Sequence, residues 1–133
     1  MWLLKTEPSA YAFSTLSKEG RTTWDGVKNP VALKNLKAMR KGDKIFIYHT
    51  GEERQVVGAA EVVREAYPDP KKNDPRLVVV DIAAGKPLKA PVTLAVLKAT
   101  AAFATSPLLR QGRLSVVPLS SPQWDFILKK GSE

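Results

Sequence analysis

Lys44-Ile45-Phe46-Ile47-Tyr48-His49 is followed, after Thr50-Gly51-Glu52-Glu53-Arg54, by Gln55-Val56-Val57-Gly58-Ala59-Ala60-Glu61-Val62-Val63-Arg64. Two runs rich in β-branched and aromatic residues flank a short glycine-containing loop, so this stretch predicts a β-hairpin. Upstream, Asn29-Pro30 is a helix start, a capping side chain followed by proline at the first helical position. The helix is expected to reach about Arg40 and stop at Gly42. Ala32, Leu36 and Met39 form its buried face, and Lys34, Lys37 and Lys41 a basic stripe elsewhere on it. Further upstream, Trp2-Leu3-Leu4-Lys5-Thr6 reads as a strand ended by Pro8, and Ser14 to Gly20 as a helical turn closed by glycine. Downstream, Leu77 to Ile82 reads as a strand buried on both faces and Thr93 as the cap of a short helix to Ala99. Leu114 to Val117 reads as another strand, and Ser121-Pro122 opens a last helix with Trp124, Ile127 and Leu128 on one side. Strands and short helices without βαβ alternation imply an α+β fold, a small curved sheet or barrel.

Tyr67 to Pro75 holds three prolines in nine residues and is expected to be a long surface loop rather than a domain boundary. The chain has 133 residues, expected to make one domain, with Gly131-Ser132-Glu133 as a loose tail. Lys and Arg number 21 against 13 Asp and Glu, a net charge of +8 that favours an anionic partner. The absence of cysteine excludes disulfides, thiolate metal sites and a cysteine nucleophile; a single histidine removes most His-rich metal sites. No metal and no cofactor is expected. The N-terminus lacks a signal-peptide pattern and no apolar run approaches the ~20 residues that span a bilayer. A cytoplasmic location is expected, or a nuclear one in a eukaryote, with no membrane partner.

No nucleophile elbow, P-loop, dinucleotide turn or H-E-x-x-H pair occurs. His49 is the one candidate imidazole base; beside Tyr48 at the end of an apolar strand, its ordinary fate is a hydrogen-bonded structural role. Glu7, Asp25, Glu61 and Asp81 are scattered, and Asp43 before a strand is turn chemistry. Thr22-Thr23-Trp24-Asp25-Gly26-Val27-Lys28-Asn29-Pro30 places a tryptophan in a polar, glycine-containing connection. Such a ring can stack on a nucleobase, or fold back as a lid on the core; position alone leaves both open. Asp25 and Asn29 can present hydrogen-bonding groups to a base edge, while capping explains Asn29 equally well. Lys28, Lys34, Lys37, Arg40 and Lys41 crowd one helix and its flanks, and Arg110-Gln111-Gly112-Arg113 puts two arginines beside a glycine. With an exposed aromatic, these cations favour nucleic acid over a merely solvated face. Trp2, in a strand, and Trp124, on an apolar helix face, are expected in the core.

In order along the chain, Trp2-Leu3-Leu4-Lys5-Thr6-Glu7-Pro8, Thr23-Trp24-Asp25-Gly26-Val27-Lys28-Asn29-Pro30, Met39-Arg40-Lys41-Gly42-Asp43 and Tyr48-His49-Thr50 resemble the EVE domain family. Val57 to Val62, Ala66 to Pro70, Pro91 to Leu94 and Arg110 to Val116 continue the resemblance over essentially the whole chain. It implies a PUA-like fold, a small mixed β-barrel or curved sheet of five to six strands with flanking short helices, related to readers of methylated RNA. It also implies an aromatic-walled pocket for a modified base. Carried over, Trp24 is a pocket wall, approached by Lys5, Thr6, Tyr48, His49 and Thr50. Asn29 bonds the base or braces the loop, and Arg110, Gln111, Arg113, Leu114 and Ser115 form another rim. Tyr11, Phe13, Tyr48 and Trp124 all remain candidates for the second aromatic wall. The family more often carries arginine at Lys28 and serine at Thr50 and Gly112; Lys28 keeps the charge without the bidentate fork.

The leading expectation is a non-enzymatic reader of a modified, for example methylated, base in single-stranded or locally opened DNA or RNA. Its base pocket comprises Trp24, Lys5, Thr6, Asn29, Tyr48, His49, Thr50, Leu114 and Ser115, and Lys28, Lys34, Lys37, Lys41, Arg110 and Arg113 hold phosphates. The alternative is a PUA-like module that binds structured RNA without reading a modification; a third is an enzyme using His49 with a carboxylate.

Overall fold

The computed structural model describes residues 1–133. In chain order the elements are β1 (Trp2–Thr6), α1 (Phe13–Glu19), β2 (Arg21–Trp24), α2 (Pro30–Ala38), β3 (Lys44–His49), β4 (Gln55–Pro68), β5 (Val78–Thr93), α3 (Leu94–Lys98), α4 (Pro107–Arg110), β6 (Val116–Pro118) and α5 (Ser121–Lys130). They build one six-stranded sheet in the order β2-β5-β4-β3-β1-β6. The sheet is curved and not closed, and short helices flank it, in agreement with the α+β expectation. β1 pairs parallel with β3, and every other pairing is antiparallel. The ladder shifts register between Ile47 and Tyr48 and repeatedly between β4 and β5. Such bulges increase local twist and bend, which is how two long strands curl around a core.

The expected hairpin is β3 and β4, and residues Ile45 to His49 are buried throughout. Gly58 on β4 is there for a close approach: a Cβ would come within 2.4 Å of the Phe13 ring. Asn29 caps α2 by accepting the Val31 and Ala32 N–H groups, with Pro30 in the first turn. Thr93 caps α3 as expected, and Ser120 with Gln123 forms a reciprocal capping box on α5. The core runs from Leu3 and Leu4 through β3 to Ile82, and Phe46 stacks on Trp124 with ring centroids 3.8 Å apart.

Several expectations are corrected. The connection around Trp24 contains a strand, β2, at one end of the sheet, with Trp24 opposite Val80. β4 runs on to Pro68, and β5 continues past Ile82 to Thr93 through Gly85, Pro87 and Pro91. The final strand starts at Val116 rather than Leu114, because Leu114 closes the turn through its N–H bond to the Gln111 carbonyl. α2 ends at Ala38, so Arg40 and Lys41 lie in the turn after it and Lys41 leaves the helical stripe. Leu128 faces outward, 48% exposed, while Trp124 and Ile127 are buried. Gly131 is no part of a loose tail: it is buried against Leu88, and its carbonyl accepts the Ala90 N–H.

Candidate functional site

A curled, unclosed sheet leaves a mouth between β2, its edge strand on one side, and the β1–β6 pair that ends the other side. Here that mouth is a cleft of about 730 Å³, lined from one side by Lys5, Thr6 and Glu7 at the end of β1 and from the other by Thr22, Thr23 and Trp24 on β2. Ala10, Tyr11, Asp25, Gly26, Val27, Lys71 and Ser115 complete the wall. Proline after Glu7 ends β1, so the chain turns: the Ala10 and Tyr11 N–H groups both donate to the Glu7 carbonyl. The Thr6 hydroxyl donates to the Tyr11 carbonyl at 2.8 Å and fixes that turn on the strand.

Trp24 is 8% exposed and belongs to the hydrophobic core, yet it also lines the cleft. It is a packed wall rather than a freely exposed platform. The Tyr11 ring meets it edge-on, with centroids 6.0 Å apart and planes at 83°. Two rings at a right angle make an aromatic corner, a favoured arrangement for π-systems. The Tyr11 hydroxyl donates to Glu19; burial first, and then this carboxylate, raises its pKa above the ordinary value, so the phenol stays neutral. Of the four candidates for a second aromatic beside Trp24, Tyr11 is the one in the cleft. Phe13 packs on Gly58, Trp124 stacks on Phe46, and Tyr48 is buried beneath the Lys5 ammonium, which sits 5.6 Å from its ring centroid.

Lys5 links the cleft to the arginine turn. Its N–H donates to the Ser115 carbonyl, and its ammonium donates to the Gly112 carbonyl at 2.9 Å. Burial pushes the Lys5 pKa below the usual lysine value. Arg110 and Arg113 flank Gly112 and are exposed. The structure thus brings Lys5, Thr6, Trp24 and Ser115 together in one cleft.

Asn29, Tyr48, His49, Thr50 and Leu114 do not line it. The Asn29 side chain is spent on capping α2, and Leu114 is buried in the core. The Thr50 N–H donates to the Thr6 carbonyl, which extends the β1–β3 pairing. His49 is 7% exposed; its Nε2 accepts the Phe13 N–H at 3.0 Å, and its Nδ1 lies 2.9 Å from the Glu53 carboxylate. Accepting at Nε2 makes Nδ1 the protonated nitrogen of the neutral ring, which donates to Glu53. That bond lowers the Glu53 pKa. Both nitrogens are therefore engaged, and the imidazole holds the start of α1 against the loop after β3. No group of three or more His, Asp and Glu converges on a metal-binding geometry.

Lys28, Lys34 and Lys37 line a second, smaller cleft of about 500 Å³ with Asp74 and Arg76 from the loop between β4 and β5. Lys41 is outside both clefts. Sequence places neither Tyr11 nor Lys71 firmly in the site. Tyr11 carries the signal of an aromatic beside the β1 terminus, whereas Lys71 reaches the cleft only through the fold.

A model of the EVE domain matches residues 1–130. The chain belongs to the EVE domain family. This EVE domain is 30% identical to thymocyte nuclear protein 1 of Homo sapiens, in a match covering 96% of this chain and 72% of that one. The NMR structure of Rpa0253 from Rhodopseudomonas palustris is similar with a TM-score of 0.91 and 44% identity, covering 98% of this chain and 91% of that one. The crystal structure of human THYN1 in complex with 5-methylcytosine-containing DNA is similar with a TM-score of 0.87 and 31% identity, covering 99% of this chain and 97% of that one. No helix of the EVE domain is long and apolar enough to cross a membrane.

Proposed function

We propose that this EVE domain is a non-enzymatic reader of a methylated base in DNA or RNA, and that the base enters the cleft at the sheet mouth. The observation that carries the reading is the aromatic corner of Trp24 and Tyr11 in a cleft of about 730 Å³ whose remaining lining is mostly polar. An aromatic wall gives a base a face to pack on, and hydroxyls or carboxylates give its edge hydrogen-bond partners. Asp25 and Ser115 supply such groups here, while the Thr23 hydroxyl already donates to Asp81. A base inside a duplex cannot reach this wall without unstacking, so single-stranded or locally opened nucleic acid is the preferred form. Lys28, Lys34, Lys37, Arg110 and Arg113 provide the charge that holds phosphates outside the cleft. The DNA-bound structure of a relative 31% identical over nearly the whole chain supports nucleic acid as the partner and 5-methylcytosine as the first probe.

The reading as binding rather than catalysis is supported by the one imidazole, which is bonded at both nitrogens away from the cleft. The test is the affinity of the protein for matched oligonucleotides with and without 5-methylcytosine. One buried methyl is worth about 0.8 kcal/mol, so the methylated strand is expected to bind roughly fourfold tighter. Equal affinities would overturn the reading.

A further inference from the structure

The loop between β4 and β5, residues 69–77, touches both clefts. Lys71 lines the cleft at the sheet mouth, and Asp74, Arg76 and Leu77 line the second one against α2. At nine residues the loop is longer than the roughly two to five of most hairpin connections. This one is built to hold its shape. Asp69 is buried and accepts the Lys71 N–H on its side chain, while its own N–H donates to the Leu77 carbonyl. Asp74 accepts the Arg76 N–H and binds the Arg76 guanidinium through both carboxylate oxygens, at 3.0 and 2.8 Å. The loop's two carboxylates are thus consumed inside it. Lys71 and Lys72, like Lys28, Lys34 and Lys37 across the groove, have no acidic partner. The floor between these cations is apolar, from Pro30, Leu33 and Leu77.

We propose that the β4–β5 loop and α2 form a second groove that binds the sugar-phosphate chain as it leaves the base cleft, with Lys71 at the junction. This rests on the nucleic-acid reading of the sheet mouth and adds to it a direction of travel and a minimum ligand length. Unpaired lysines supply point charges for phosphates, and the apolar floor accommodates sugars or an unstacked neighbouring base. Arg76 is a positioning residue: its guanidinium is already forked onto Asp74, and the pair sets the far wall. A compact acidic ligand such as a single nucleotide fills one cleft only, so a chain of linked phosphates is what makes use of both.

The experiment compares a trinucleotide with a dodecanucleotide, each in DNA and RNA and each with and without one 5-methylcytosine. The wild-type protein is expected to bind the longer strand more tightly. In the Lys34→Ala/Lys37→Ala variant this length gain shrinks by roughly tenfold at low salt, and the slope of log affinity against log salt falls by about 1.4, about 0.7 for each phosphate no longer neutralised. Lys86→Ala/Lys89→Ala removes the same charge from β5, where neither residue lines a cleft, and keeps the gain. Equal losses in the two variants would reduce the effect to overall charge and overturn the groove. A wild-type protein without a length gain, or an unchanged Lys34→Ala/Lys37→Ala variant, would overturn it as well. Loss of the preference for the methylated base with the length gain intact would instead sink the base-reading proposal alone. A gain confined to DNA or to RNA identifies which chain the groove accepts.

Discussion

Trp24 and Trp124 are almost equally buried, at 8% and 6% exposure, and they differ in everything else. Trp124 projects from α5 onto the sheet and stacks on Phe46 at 3.8 Å, with apolar neighbours on β3. Trp24 ends a short strand at the sheet mouth, meets one aromatic edge-on, and shares its cleft with Lys5, Thr6, Thr23, Asp25 and Ser115. Burial alone does not separate a tryptophan packed wholly in the core from one that also lines a cleft. The polarity of the surrounding shell does, because a ring in the core has no reason to be ringed by groups that could hydrogen-bond a ligand.

The sharpest way to break this contrast is to truncate each ring. Trp124→Ala is expected to cost about 3–5 kcal/mol of stability, read from the denaturation midpoint, because it empties the stack on Phe46. The affinity of the folded fraction for nucleic acid should not change; a specific loss of binding would erase the distinction. Trp24→Ala is expected to weaken binding of a methylated oligonucleotide by about 1–3 kcal/mol, on top of a stability loss from its core-facing side. Trp24→Leu keeps apolar volume against the core and should recover more stability than binding. Equal recovery of both would make Trp24 a core residue only.

The third tryptophan gives the smallest effect. The Trp2 indole donates to Asp43 at 2.9 Å, and Asp43 also accepts the Arg40 N–H. Burial raises the Asp43 pKa, but these two bonds, together with the positive charges of the N-terminus and Arg40, outweigh it and hold the carboxyl below its ordinary value. A depressed folded value means that this contribution is complete above the unfolded value near ~4 and is lost as pH falls through the folded one. Asp43→Asn should therefore cost about 1 kcal/mol at neutral pH and flatten part of the acid limb of the stability profile below about pH 4. A Trp2 pairing that mattered for ligand binding would instead show in the affinity, which is expected to stay constant.

Elements whose signals are local could be read directly from the sequence. Asn29-Pro30, Thr93 and the β3–β4 hairpin carry their own chemistry, and the structure uses it as expected. What failed were pairings made by distant partners. Arg21 to Trp24 is a four-residue strand between Gly20 and Gly26, and its ladder with β5 leaves no periodic trace in so short a segment. The continuation of β5 beyond Ile82 carries glycine and prolines that ordinarily end strands. It survives them where the register with β4 shifts, at Pro87 opposite Gly58 for example. The same limit applied to the site. Lys5, Thr6, Trp24 and Ser115 line one cleft, whereas His49 and Thr50, adjacent to them on the β1–β3 ladder, are spent on holding the backbone. Lys71 enters the cleft only because the β4–β5 loop folds back toward the sheet mouth.

The most direct test of the contrast between the two buried rings uses the three indole N–H groups as reporters. In a titration of isotope-labelled protein with a 5-methylcytosine-containing single strand, followed by NMR, the Trp24 indole resonance is expected to shift progressively. Those of Trp2, bonded to Asp43, and Trp124, stacked on Phe46, are expected to stay in place. Binding that left the Trp24 resonance unmoved, or moved all three alike, would contradict the assignment of the sheet mouth as the base site.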